Sequence, residues 1–276
     1  MVWTRILTSW NFEPTAVAGL AGLTVLYVVY SRRLPAHRRD GLFVAMVLLT
    51  LLALDSPIDF LADRYLFSVH MIQHMILILA VAPLLVASAP AALVDRLRRS
   101  LPRWLLGALE HPVLTFVVFN ADVALWHVPA LYEATLHNEW LHVFEHITFA
   151  ATACLFWWVA LAPRQYLTRS LPVLGRMLYV FLGGLPSVIL GAIITFAPRV
   201  LYPTYLRGLT EPGFGRSIGL AFGLSPLADQ ELGGLLMWVP GGVVFLIAIL
   251  GIFLAWVRQQ QPPVPDSPVA AATLRP

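Results

Sequence analysis

Five histidines in this chain are of the type and spacing that hold a metal ion. His70 and His74 lie four residues apart in "HMIQHM", and His142 and His146 repeat the interval in "LHVFEHITF". Residues i and i+4 share a helix face, so each pair presents two imidazoles in one direction. His127 follows in "ALWHVP". Imidazole is the commonest metal ligand among side chains, and it suits zinc, copper, iron and nickel alike. The competing assignment for any one of them is an interfacial histidine bonded to backbone or water.

Other donors stand near these five. Met71, Met75 and Met237 carry thioethers, which favour Cu(I), although methionines also serve in ordinary packing. Met71 and Met75 sit about 100° round the helix from His70 and His74. Glu145 adjoins the second pair, and Asp122 precedes His127 by about a turn and a half. Asp55, Asp59 and Asp63 crowd the segment before His70. Such carboxylates orient the free imidazole nitrogens or bind metal themselves; an acidic, solvated loop would look the same. Cys154, the single cysteine, lies about 18 Å along the helix from His142 and reads as a structural thiol. One cysteine excludes an internal disulfide and a CxxC motif. All 18 basic residues are arginine, so no lysine is present for Schiff-base chemistry.

The elements that position these residues follow from composition. Of 276 residues 59% are apolar and 12% charged, and the mean hydropathy is +0.76. Soluble domains carry about 25% charged residues, whereas apolar runs of roughly 20 residues cross a bilayer. The expected fold is an all-α membrane protein, a bundle of seven transmembrane helices near 15–30, 41–57, 66–88, 112–128, 141–161, 177–197 and 233–257. Arg32, Arg33, Arg38 and Arg39, then Arg96, Arg98, Arg99 and Arg103, then Arg164, Arg169 and Arg176, with Arg258 and Arg275, put thirteen of the eighteen arginines on one side. The positive-inside rule makes that side cytoplasmic: N-terminus outside, C-terminus inside. The N-terminus shows no basic n-region or cleavage site. Residues 1–257 form the membrane domain and 258–276, rich in Pro and Ala, a disordered cytoplasmic tail. The net charge of +3 is then a topology signal and not one of nucleic-acid binding. In this topology all five histidines reach the outer ends of three spans. His37 and His111 fall in cytoplasmic loops, His137 in an outer one. The connection 198–232 is apolar enough to fold over the outer mouth. Matched depth across three helices favours a shared metal site over five independent interfacial side chains.

Three kinds of chemistry fit such a layer. One is metal carriage. The string His142-Val143-Phe144-Glu145-His146 also matches H-x-x-E-H, in which Glu145 would activate a zinc-bound water; a seven-helix zinc hydrolase acting on lipid or peptide is the enzyme alternative, with Glu145 or Asp122 as base. Haem held between facing histidines is disfavoured by the bulk of Trp126 and Phe144 and by the position of the pairs near the mouth.

With those residues laid out, the chain resembles the CtaG-type cytochrome c oxidase assembly factors, associated with bacterial caa-type oxidases. The resemblance is carried by "HMIQHM" (70–75), "WHVPALYEATL" (126–136), "LHVFEHITF" (141–149), "LYPTY" (201–205) and "DQELGGLLMW" (229–238), in order over about residues 60–257. It implies a non-enzymatic role in the bacterial inner membrane, maturing a haem-copper oxidase by binding and delivering copper on the outer side, with oxidase subunits and lipid as partners. The motif positions are His70, His74, His127, His142, His146, Asp229 and Gln230, with Met237 and Trp238 in the last motif. Asp229 and Met237 flank the outer end of the seventh span and join the candidate ligands; Glu145, Asp122 and Gln230 are candidates for orienting them. Zinc is the alternative metal.

Overall fold

A backbone in lipid must satisfy its own hydrogen bonds, and the apolar runs of this chain do so as helices. The computed structural model describes residues 2–10, 13–31 and 38–260. His37, Arg32, Arg33 and the tail from 261, including its expected disorder, lie outside the described residues. Among those described there is no strand. The α-helices are α1 (Val2–Thr8), α2 (Pro14–Ser31), α3 (Arg38–Leu54), α4 (Pro57–Ala62), α5 (Phe67–Ile76), α6 (Ala82–Ser88), α7 (Ala91–Ser100), α8 (Arg103–Leu109), α9 (Pro112–Trp126), α10 (Pro129–His137), α11 (Glu139–Leu161), α12 (Val173–Thr195), α13 (Pro203–Thr210), α14 (Phe214–Phe222) and α15 (Pro226–Gln260).

Six helical stretches among the described residues are long and apolar enough to cross a membrane: Pro14–Ser31, Arg39–Ala62, Phe67–Ser88, Glu139–Leu161, Val173–Thr195 and Pro226–Gln260. A seventh arises if α8 and α9, bent by 57° at their junction, count as one span. By itself α9 is about 22 Å long, short of a hydrocarbon core of about 30 Å. The fold is thus an all-helical bundle of six to seven spans. Its last helix starts earlier than the apolar run suggests. Ser225 Oγ accepts from Ala228 N at 3.2 Å, an N-cap followed by proline, the residue best suited to the first turn. This brings Asp229 and Gln230 onto α15, out of the connecting segment. The helix runs on to Gln260, so residues 258–260 continue it.

The span Phe67–Ser88 is interrupted by one turn of π-helix, Leu77–Val81. The Ala82 N–H goes to Leu77 O, and Pro83 has no N–H, so Ile78 O has no donor within its helix. Trp157 Nε1 of α11 supplies one at 2.8 Å. The N-terminus of α5 is also capped from a distance. Leu66 provides no side-chain cap, and the Asp229 carboxylate of α15 accepts instead from Phe67 N at 2.6 Å, Ser68 N at 3.2 Å and Ser68 Oγ at 2.5 Å.

Helices α12 and α15 pack through glycine. A Cβ on Gly234 would lie 2.6 Å from Thr195 N and 2.7 Å from Gly191 O, both backbone atoms that cannot swing aside. Small residues at such a crossing let membrane helices approach closely. Phe119, Phe149, Phe156, Trp157 and Phe245 fill the space between α9, α11, α12 and α15. Only Leu20 and Tyr27 of α2 are buried, so α2 is the loosest member of the bundle.

Candidate metal centre

The caps of α5 and α11 put both histidine pairs in the opening turns of their helices. Asn138 Oδ1 accepts from Leu141 N at 3.1 Å and fixes the start of α11 at Glu139, three residues before His142. The pairs face each other: ring centroids are 4.2 Å apart for His70–His74, 4.3 Å for His142–His146, 5.3 Å for His70–His142 and 5.4 Å for His74–His146. One nitrogen from each of the four imidazoles lies within 4.8 Å of all the others. His70, His74 and His146 are buried.

The hydrogen-bond network sets the tautomers. Tyr205 Oη donates to Ala62 O at 2.8 Å. Its single hydrogen is thereby taken, so at 2.7 Å from His70 Nδ1 it is the acceptor and Nδ1 carries the proton. The Tyr132 hydroxyl is 3.1 Å from the same oxygen. Burial raises both phenols above their usual pKa, which keeps them protonated donors. His70 Nε2 is left with its lone pair, 2.8 Å from His74 Nε2. His142 Nδ1 lies 3.7 Å from Asp63 Oδ1. Glu145 is fully buried, with Oε1 3.9 Å from His74 Nε2.

Several polar atoms of this group have no hydrogen-bond partner: His74 Nδ1, His142 Nε2, His146 Nε2 and both oxygens of Glu145. Leaving a buried polar group unsatisfied costs about 1–3 kcal/mol, and native proteins seldom tolerate several in one place. A cation is what these lone pairs and this carboxylate lack in common. Four imidazoles beside a carboxylate make a donor set that could hold a metal ion, and the residues fit one.

The other sequence candidates fall elsewhere. His127, at the C-terminus of α9, is buried and stands 6.4 Å from His74 between ring centroids, outside the four-histidine group. Its Nδ1 pairs with Val123 O at 2.7 Å, and its Nε2 has no partner. Met237 lines a small cavity of about 40 Å³ together with His74, His127, Met71 and Met75. Asp229 is engaged at the α5 N-terminus. Gln230 Oε1 accepts from Leu201 N at 2.6 Å, and its Nε2 donates to Arg199 O at 3.2 Å. Asp122 accepts from Trp126 Nε1 at 3.0 Å and Thr152 Oγ1 at 2.9 Å and is not brought into the group. Sequence reasoning singled out neither Tyr205 nor Tyr132. Each lies within a motif quoted above, "LYPTY" and "WHVPALYEATL", yet a tyrosine in an apolar string carries no spacing signal of its own.

The family model described as cytochrome c oxidase caa3 assembly factor matches residues 21–259. Uncharacterized proteins of Mycobacterium bovis and Mycobacterium tuberculosis are each 28% identical over 283 residues, covering 93% of this chain and 40% of their own length. An uncharacterized protein of Mycobacterium leprae is 27% identical over 215 residues, 70% of this chain and 30% of its own. The chain therefore spans less than half the length of these relatives. No solved structure matches significantly.

Proposed function

The chain belongs to the cytochrome c oxidase caa3 assembly factor family, and from that premise we propose that it carries copper as cargo at the four-histidine group and delivers it to a haem-copper oxidase. The observation that carries this reading is the convergence of His70, His74, His142 and His146 within 4.8 Å beside partnerless polar atoms. Imidazole binds Cu(II) well, and the Tyr205 hydroxyl and the Asp63 carboxylate are placed to orient His70 and His142. In this reading the protein sits in a bacterial inner membrane, and the arginine distribution supports an orientation with the histidine end and the N-terminus outside and residues beyond 257 cytoplasmic. Cargo then enters from that side and leaves to an oxidase subunit docked in the same membrane.

Two measurements test the proposal. The protein loaded with copper(II) should hold about one ion at this group, lost when His70, His74, His142 and His146 are all changed to Ala. A strain lacking the protein should keep its oxidase polypeptides and lose oxidase activity; normal activity would sink the reading. One observation favours the zinc hydrolase as a second reading. An apolar groove between α2, α3 and α11, lined by Leu20, Met46 and Val143, reaches His146 and could seat an acyl chain. Tightly held zinc with no affinity for copper, together with lipid cleavage abolished by Glu145→Gln, would decide for it.

A further inference from the structure

We propose that the small cavity beside the four-histidine group is a second copper site, selective for copper(I) and built on methionine thioethers; this rests on the reading of copper as cargo. Met71, Met75 and Met237, half of the six methionines in the chain, border this one cavity between α5, α9 and α15. With them stand His127 and His74. The rest of the wall is mainly aliphatic and aromatic, including Ile78, Leu79, Val123 and Phe245.

The chemistry of these donors is soft. Thioethers select Cu(I) over harder divalent ions, and one or two imidazoles complete the coordination such an ion accepts. Ser187 also belongs to the wall, and with His127 and His74 it makes water the competing occupant. A buried water needs two to four polar partners, and a thioether is a weak acceptor. At about 40 Å³ the cavity admits an ion or a water and excludes a lipid or peptide. Packing alone accounts for methionines as flexible filler. It does not account for His127, whose Nδ1–H is occupied by Val123 O while its Nε2 lone pair is buried without a partner. His127 is a wall residue of a cavity bordered by three methionines, and its buried Nε2 is a donor with no partner in the protein.

His74 borders both places. Its Nε2 faces His70 in the four-histidine group, its Nδ1 is unpartnered, and its ring is among the walls of the thioether cavity. The two sites thus adjoin through one residue, a nitrogen-rich site beside a sulfur-rich one.

The test uses the full chain in detergent, loaded anaerobically with copper(I) and ascorbate, and X-ray absorption at the copper edge. The protein should show sulfur scatterers. The variant Met71→Leu/Met75→Leu/Met237→Leu, which nearly conserves side-chain volume, should lose them and bind copper(I) at least about tenfold more weakly. Its copper(II) content at the four-histidine group should be unchanged, which also reports that it folds. A nitrogen-only environment in the unmodified protein would overturn the thioether site while leaving the histidine reading intact, whether or not the variant folds. No copper in either oxidation state would overturn both.

Discussion

Asp229 and Glu145 are both fully buried carboxylates on helices that border the histidines, and they live in opposite conditions. Both oxygens of Asp229 are engaged by Phe67 N, Ser68 N and Ser68 Oγ. Both oxygens of Glu145 are without a hydrogen-bond partner, as are nitrogens of His74, His142 and His146 nearby. The seam between α5 and α15 therefore closes on itself: Asp229 caps one helix, and Gln230 ties down the backbone at Leu201 and Arg199. The histidine group does not close. What separates a structural buried polar residue from one kept for a ligand is whether any hydrogen-bonding capacity remains once the fold has formed.

That contrast can be broken by substitution. Asp229→Ala should have the largest effect, destabilising the protein by roughly 4 kcal/mol because three buried donors lose their acceptor at once. A loss under about 1 kcal/mol in denaturation monitored in detergent would show that the seam does not depend on this cap. Trp157→Phe leaves Ile78 O unsatisfied and shrinks a packed ring; a cost of about 3 kcal/mol by the same assay is expected. Tyr205→Phe should act on the site more than on the fold. Losing the nearer of the two acceptors at His70 Nδ1, with Ala62 O left at 3.3 Å, should weaken metal binding about 10-fold, with a stability change of about 1 kcal/mol. Equal metal affinity in that variant would mean that the Tyr205 hydroxyl does not orient a ligand. Glu145→Gln should be nearly silent in stability, within about 0.5 kcal/mol, since the carboxylate accepts no hydrogen bond and only its long 3.9 Å contact with His74 is at stake, while metal affinity falls. A large destabilisation there would reverse the contrast and make Glu145 structural.

Much of the bundle was legible because lipid leaves a chain few choices. Runs of about 20 apolar residues must be helical, and the i, i+4 interval alone puts His70 with His74 and His142 with His146. The bend between α8 and α9 was not legible, since Glu110-His111-Pro112 marks a break without giving its angle. Nor was the division among the histidines. Depth along a helix axis follows from counting residues, but azimuth about it depends on packing, so His127 shares the layer and still falls outside the four-histidine group. Asp229 and Gln230 became site candidates through the motif "DQELGGLLMW" that carries the family resemblance, and Asp229 also through its place at the outer end of the seventh span. Their actual partners are backbone groups of Phe67, Ser68, Leu201 and Arg199, which no side-chain pattern announces.

The π-helical turn at Leu77–Val81 has a bearing on His74 and His70, which lie about one and two turns before it. An extra residue absorbed within a helix offsets the two halves by about 100° of rotation relative to a regular continuation. The half carrying His70 and His74 therefore has an angular phase of its own, separate from that of Ala82–Ser88 farther along the same span. A deletion of one residue within Leu77–Val81 that restored a continuous α-helix would keep every apolar contact type and the length of the span almost intact. It would nonetheless force one half to turn against the other, and the helix could then keep its lipid-facing stripe or its imidazoles in register with α11, but not both.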